Sequence, residues 1–88
     1  MITRMDYGAF QKLLGKRIKE LREAKGLTQE EVSGLEMGVR VYQRIESGQT
    51  SATLRSLFKI AHALEIQPRE LLPLIPAERD PRPKRKSI

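Results

Sequence analysis

With 88 residues the chain has room for one small domain, and its 17 Lys and Arg against 11 Asp and Glu leave a net charge of +6, which points to an anionic partner. It has no cysteine and one histidine, His62, which excludes disulfides, thiolate metal sites, a Cys nucleophile and a His-based metal cluster or triad. The longest apolar stretch, Leu71 to Ala77, is too short for a membrane span and carries Pro73 and Pro76, and Met1 to Asp6 lacks the apolar run of a secretory signal, so a cytoplasmic protein is expected.

No segment alternates with a period of two, whereas helical spacing recurs throughout. The first helix is expected after Asp6 as its cap, with Phe10, Leu13, Leu14, Ile18 and Leu21 on its inner face and Gly26 just past its end. Gly15 within it costs about 1 kcal/mol relative to Ala. Thr28-Gln29-Glu30-Glu31 is a capping box, so a second helix begins there and is expected to bury Val32 and Leu35. Gly34 and Gly38 keep it short. A third helix runs from about Val39 to Ser47, with Tyr42 and Ile45 inward, and Ser47 to Ser51 forms a turn. Thr53 caps a fourth helix with Leu54, Leu57, Phe58, Ala61 and Leu64 inside. A last short helix begins near Gln67-Pro68 and buries Leu71 and Leu72. The predicted fold is all-α, a compact five-helix bundle. It occupies residues 1–76, and residues 77–88 form a basic, Pro-containing tail expected to be disordered, which carries +3 of the net charge.

The informative region lies between Gly26 and Leu64. Two short helices joined by a tight turn hold the second of them rigidly, and a rigid helix fits the major groove of DNA. With Tyr42 and Ile45 inward, Val39, Arg40, Gln43 and Arg44 face outward. Arg40 and Arg44 are four apart on one face. Arg can bridge guanine O6 and N7, and Gln can pair with adenine N6 and N7. On charge spacing alone the same residues also read as a solvated helix face.

The stretches Leu14–Arg22, Gly26–Glu31, Arg44–Gly48 and Leu54–Leu64 together resemble the lambda-repressor-like helix-turn-helix proteins, which include the Cro/C1-type (Xre-type) regulators of phages and bacteria. The resemblance runs from about Leu14 to Leu72. It implies a five-helix DNA-binding domain, a homodimer and a palindromic double-stranded operator. It implies that Gln29 contacts a phosphate and steadies the third helix. It places Val39, Arg40, Gln43 and Arg44 at the groove, with Val41 against a thymine methyl. Gln49, Thr50 and Ser51 fall in a loop that touches phosphate through backbone N–H groups. Arg22 and Glu46 match a structural salt bridge between the first and third helices. No cofactor and no metal is expected.

One departure stands out. The stretch from Leu27 to Glu46 is one residue shorter than the family spacing, so the turn is expected to be rebuilt around Gly34 or Gly38. Tyr42 is read as core, with its hydroxyl near the surface where a phosphate would lie. Leu71, Leu72, Leu74 and Ile75 are either core or a dimer contact. The alternative to a DNA-binding regulator is a protein-interaction module, such as an antitoxin, whose segment Pro73–Ile88 binds a toxin or another protein partner. An enzyme is not expected, because no nucleophile–base pair, Gly-rich phosphate loop or metal cluster is present in the sequence.

Overall fold

The computed structural model describes residues 6–72. The tail 77–88, Leu74 and Ile75, and the segment invoked for a protein partner all lie outside the described residues. In chain order come α1 (Tyr7–Ala24), α2 (Gln29–Met37), α3 (Val39–Glu46) and α4 (Leu54–Leu64), followed by a 3-10 turn at Pro68–Leu71. Among the described residues, four α-helices and a 3-10 turn therefore stand in place of the expected five helices. The fifth element starts at Pro68 as anticipated, with the Glu70 carboxylate accepting from the Gln67 N–H at 2.9 Å. It cannot lengthen, because Leu72 precedes Pro73 and that position disfavours helix. Leu72 is extended, at φ −72° and ψ 132°.

Local chemistry sets the helix starts. The Asp6 carboxylate accepts from the Ala9 N–H at 2.7 Å. Thr28 and Glu31 form the reciprocal capping box, at 3.0 and 2.7 Å. Thr53 Oγ1 accepts from the Ser56 N–H at 3.0 Å. Each such cap contributes about 1 kcal/mol.

The core consists of Leu14 and Ile18 of α1, Val32 of α2, Tyr42 and Ile45 of α3, Ile60, Ala61 and Leu64 of α4, and Leu71. Gly15 has a reason beyond helix propensity. A Cβ there would lie 2.6 Å from the Ile45 carbonyl oxygen, and closer still to that of Glu46. Its bare backbone lets α1 approach the end of α3. The Arg17 Nε donates to the Glu70 carbonyl at 3.1 Å and ties the 3-10 turn to α1.

Several expected core residues lie outside. Leu13 sits at the border of exposure, Leu54, Phe58 and Leu72 are exposed, and Leu35 is wholly exposed. On α4 the inward stripe runs through the half-buried Leu57 and the buried Ile60, Ala61 and Leu64. It is the same helical spacing rotated away from Leu54 and Phe58, and it brings in Ile60. Leu35 is displaced because α2 breaks at Gly34, whose φ of 67° and ψ of −176° interrupt the helix. On an unbroken helix Leu35 would share the face of Val32.

Candidate nucleic-acid interface

Two glycines build the entry to α3. Gly34 (φ 67°) and Gly38 (φ 81°) both occupy backbone conformations that favour glycine. Between them Leu35 to Met37 make one turn, closed by the Gly38 N–H donating to the Gly34 carbonyl at 3.4 Å. Both glycines serve the turn, where the shortened spacing left a choice between them. Gly38 then precedes α3 without a capping side chain.

On α3, Tyr42 and Ile45 point into the core, and Glu46 is buried with them. Arg40, Gln43 and Arg44 are exposed. They line a groove with Gln29 of α2 and with Ser47 and Gln49 of the following loop. Among the described residues neither Arg40 nor Arg44 has an acidic partner. The groove thus gathers Gln29, Arg40, Gln43, Arg44 and Gln49 of the expected residues. Val39 is half-buried at the start of α3, and Val41 is exposed outside the groove lining. Thr50, next to Gln49 in sequence, is half-buried and is not among the groove-lining residues.

Ser51 has another engagement. The Tyr7 hydroxyl donates to Ser51 Oγ at 2.7 Å, and Ser51 Oγ donates to Gln11 Oε1 at 2.8 Å. Gln11 Nε2 in turn donates to the Gly48 carbonyl at 2.9 Å. The loop after α3 is thereby fastened to α1. Ser47, Tyr7 and Gln11 escaped sequence reasoning. The one available signal was the i, i+4 spacing of Tyr7 and Gln11 on one helix face.

Beneath the groove sits one polar cluster. Arg22 donates from Nε to Glu46 Oε2 at 2.8 Å and from Nη2 to Oε1 at 3.1 Å. Its Nη1 donates to the Leu27 carbonyl at 2.8 Å. Gln29 Nε2 donates to Glu46 Oε1 at 2.9 Å, and the Tyr42 hydroxyl donates to Oε2. The Tyr42 hydroxyl therefore faces inward and is buried, which corrects the expectation that it lies near the surface. Finally, Gln43 Nε2 donates to Gln29 Oε1 at 2.9 Å.

The electrostatics follow from this crowding. Burial alone pushes the Glu46 carboxyl up, but hydrogen bonds from Arg22, Tyr42 and Gln29 with the Arg22 charge outweigh it, so the group lies below its ordinary value. The hydrogen bond to Glu46 raises Arg22. Burial, then the bond to Glu46, raises Tyr42. Glu46 is thus a fixed anion that only accepts hydrogen bonds.

A second surface lies between α2 and α4. Val32, Ser33, Gly34, Leu35 and Glu36 face Phe58, Lys59 and His62 across a shallow, largely apolar groove. Lys59 pairs with Glu36 across it. Among the described residues no group of His, Cys, Asp and Glu is placed to hold a metal, and no helix is long and apolar enough to cross a membrane.

Comparison with known proteins supplies the family. A helix-turn-helix family model, HTH_3, matches residues 18–71. The restriction-modification controller protein C.AhdI from Aeromonas hydrophila is 40% identical with a TM-score of 0.68, over 70% of this chain and 96% of that one. The DNA-binding domain of BldD is 28% identical with a TM-score of 0.68, over 78% of this chain and 100% of that one. An HTH_3 family transcriptional regulator from Vibrio cholerae is 28% identical with a TM-score of 0.67, and its match takes in 73% of this chain and 36% of its own. A comparison with curated protein sequences gives no match. With the family model spanning more than half of its length, the chain belongs to the HTH_3 helix-turn-helix family, of the Cro/C1 type.

Proposed function

We propose that the protein is a sequence-specific regulator that binds double-stranded DNA as a homodimer on a palindromic operator. One observation carries this reading. The exposed, acid-free groove along α3 gathers Arg40, Gln43 and Arg44 with Gln29 and Gln49. These are the side-chain types that read base edges and touch phosphates. Electrostatic attraction delivers the basic chain to DNA, phosphate contacts set its register, and α3 reads the major groove. Arg40, Gln43 and Arg44 read bases, with Val39 and Val41 giving apolar contact. The loop Gln49–Ser51 meets the phosphates. Regulation follows from where the operator lies relative to a promoter.

The homodimer places two copies of α3 about one helical turn apart on the duplex. The exposed apolar side chains of Leu35, Leu54 and Phe58 favour a second copy seated on the α2–α4 surface.

The test is selection from a random duplex pool with the intact protein and with Arg40→Ala/Arg44→Ala. The expected result is an inverted repeat enriched by the intact protein and lost in the double variant. Binding that is only salt-sensitive, with no enriched motif, overturns the reading.

A further inference from the structure

We infer that Gln43 reads adenine, and that Gln29 is the positioning residue that commits it to adenine over guanine. The inference rests on the DNA-binding reading above and deepens it.

It follows from a chain of donors and acceptors. Arg22 can only donate, and an ionised Glu46 can only accept. Glu46 therefore receives Arg22, Tyr42 and Gln29, all as donors. Gln29 must turn its NH2 group toward Glu46, which leaves its Oε1 facing the groove side. An oxygen there demands a donor, so Gln43 must turn its own NH2 toward Gln29. Two amides that on their own flip freely are each held in one orientation by a buried carboxylate.

What remains of Gln43 is then defined. Its Oε1 and its second N–H have no partner among the described residues, and Gln43 lines the exposed groove. One acceptor beside one donor matches the major-groove edge of adenine, with its N6 donor and N7 acceptor. Guanine offers two acceptors, O6 and N7, and leaves Gln43 Oε1 unpaired against O6. Turning the Gln43 amide to offer an N–H to guanine O6 would set its oxygen against N7 and against Gln29 Oε1. The cost of the wrong base is thus transmitted to the buried carboxylate.

The test uses the full chain as wild type, Gln43→Ala and Gln29→Met, the last keeping side-chain volume while removing both hydrogen bonds. Each protein is put through the duplex selection, and then adenine and guanine are compared at the position that Gln43→Ala alters. Wild type should prefer adenine there by about tenfold or more. Gln43→Ala should lose that preference and keep the rest of the motif. Gln29→Met should keep the motif while its adenine-to-guanine ratio falls to about threefold or less, a change that a merely structural role would not produce. A further arm needs no variant. Replacing that adenine by 7-deazaadenine should weaken the wild type by about three- to tenfold. If wild type enriches no motif, the DNA-binding reading itself fails. If a motif appears but Gln43→Ala alters no position, or 7-deazaadenine binds as well as adenine, base reading by Gln43 is overturned. An unchanged ratio in Gln29→Met overturns the positioning role alone.

Discussion

The guanidinium of Arg22 on α1 grips both carboxylate oxygens of Glu46 at the end of α3, at 2.8 and 3.1 Å. The pair joins the helix that anchors the core to the helix that faces the groove. Both side chains are largely buried, 12% and 5% exposed, so solvent screens them little. A buried pair is a poor source of net stability, but removing one partner strands the other. Arg22→Ala should therefore destabilise the protein by about 3–5 kcal/mol, read from urea unfolding. A loss under about 1 kcal/mol would show that the pair is solvated in practice.

Acid should act through the same carboxylate. Glu46 lies below its ordinary value in the folded protein, so its contribution is fully present above the unfolded value, about 4.3. That contribution is lost as pH falls through the lower folded value. Stability measured by urea unfolding should thus decline below about pH 4. Glu46→Gln should be less stable at neutral pH and show a shallower acid decline. Glu36, held low by its hydrogen bond to Lys59, is exposed and should add little to that slope.

Much of this arrangement was written locally. The caps at Asp6, Thr28 and Thr53 depend on residues three apart, and each forms where the sequence places it. The inward positions Tyr42 and Ile45 follow from helical period over a short, unbroken helix. Leu35 escaped because one glycine dihedral decides which way it points, and period counting assumes an unbroken helix. Leu54 and Phe58 escaped because α4 carries two overlapping apolar stripes, and only packing against the other helices selects one. The Gln29–Gln43 bond spans 14 residues and depends on a carboxylate three residues further on. No local pattern encodes it. The Arg22–Glu46 pair spans 24 residues, and only family resemblance made it legible.

Gly15 offers a test of sign. On an isolated helix Gly→Ala stabilises by about 1 kcal/mol. Here the new methyl meets the backbone carbonyls of Ile45 and Glu46, which cannot rotate aside as a side chain could. Gly15→Ala should instead destabilise by about 1–3 kcal/mol, because α1 and α3 must separate. Thermal unfolding gives the sign directly. A rise in Tm would mean that α3 shifts without cost, and then the angle of the groove is not fixed by this contact.

The α2–α4 surface makes a separate prediction about assembly. Phe58 is 61% exposed and Leu35 is wholly so, and both border the groove that Lys59 and Glu36 bridge. Phe58 is not part of the buried core, so a charged residue there should leave the fold intact. Surface changes of this kind typically alter stability by no more than about 0.5 kcal/mol. If a second copy packs on this surface, Phe58→Lys buries a charge against apolar side chains at each of two symmetric positions. Sedimentation equilibrium should then show the wild type as a dimer and Phe58→Lys as a monomer, with unchanged helical circular dichroism. Binding to a full inverted repeat should weaken strongly in the variant while binding to a single half-site stays the same, since each α3 is untouched. A variant that remains dimeric would place the interface elsewhere, and equal losses on full and half sites would mean that Phe58 supports α3 itself.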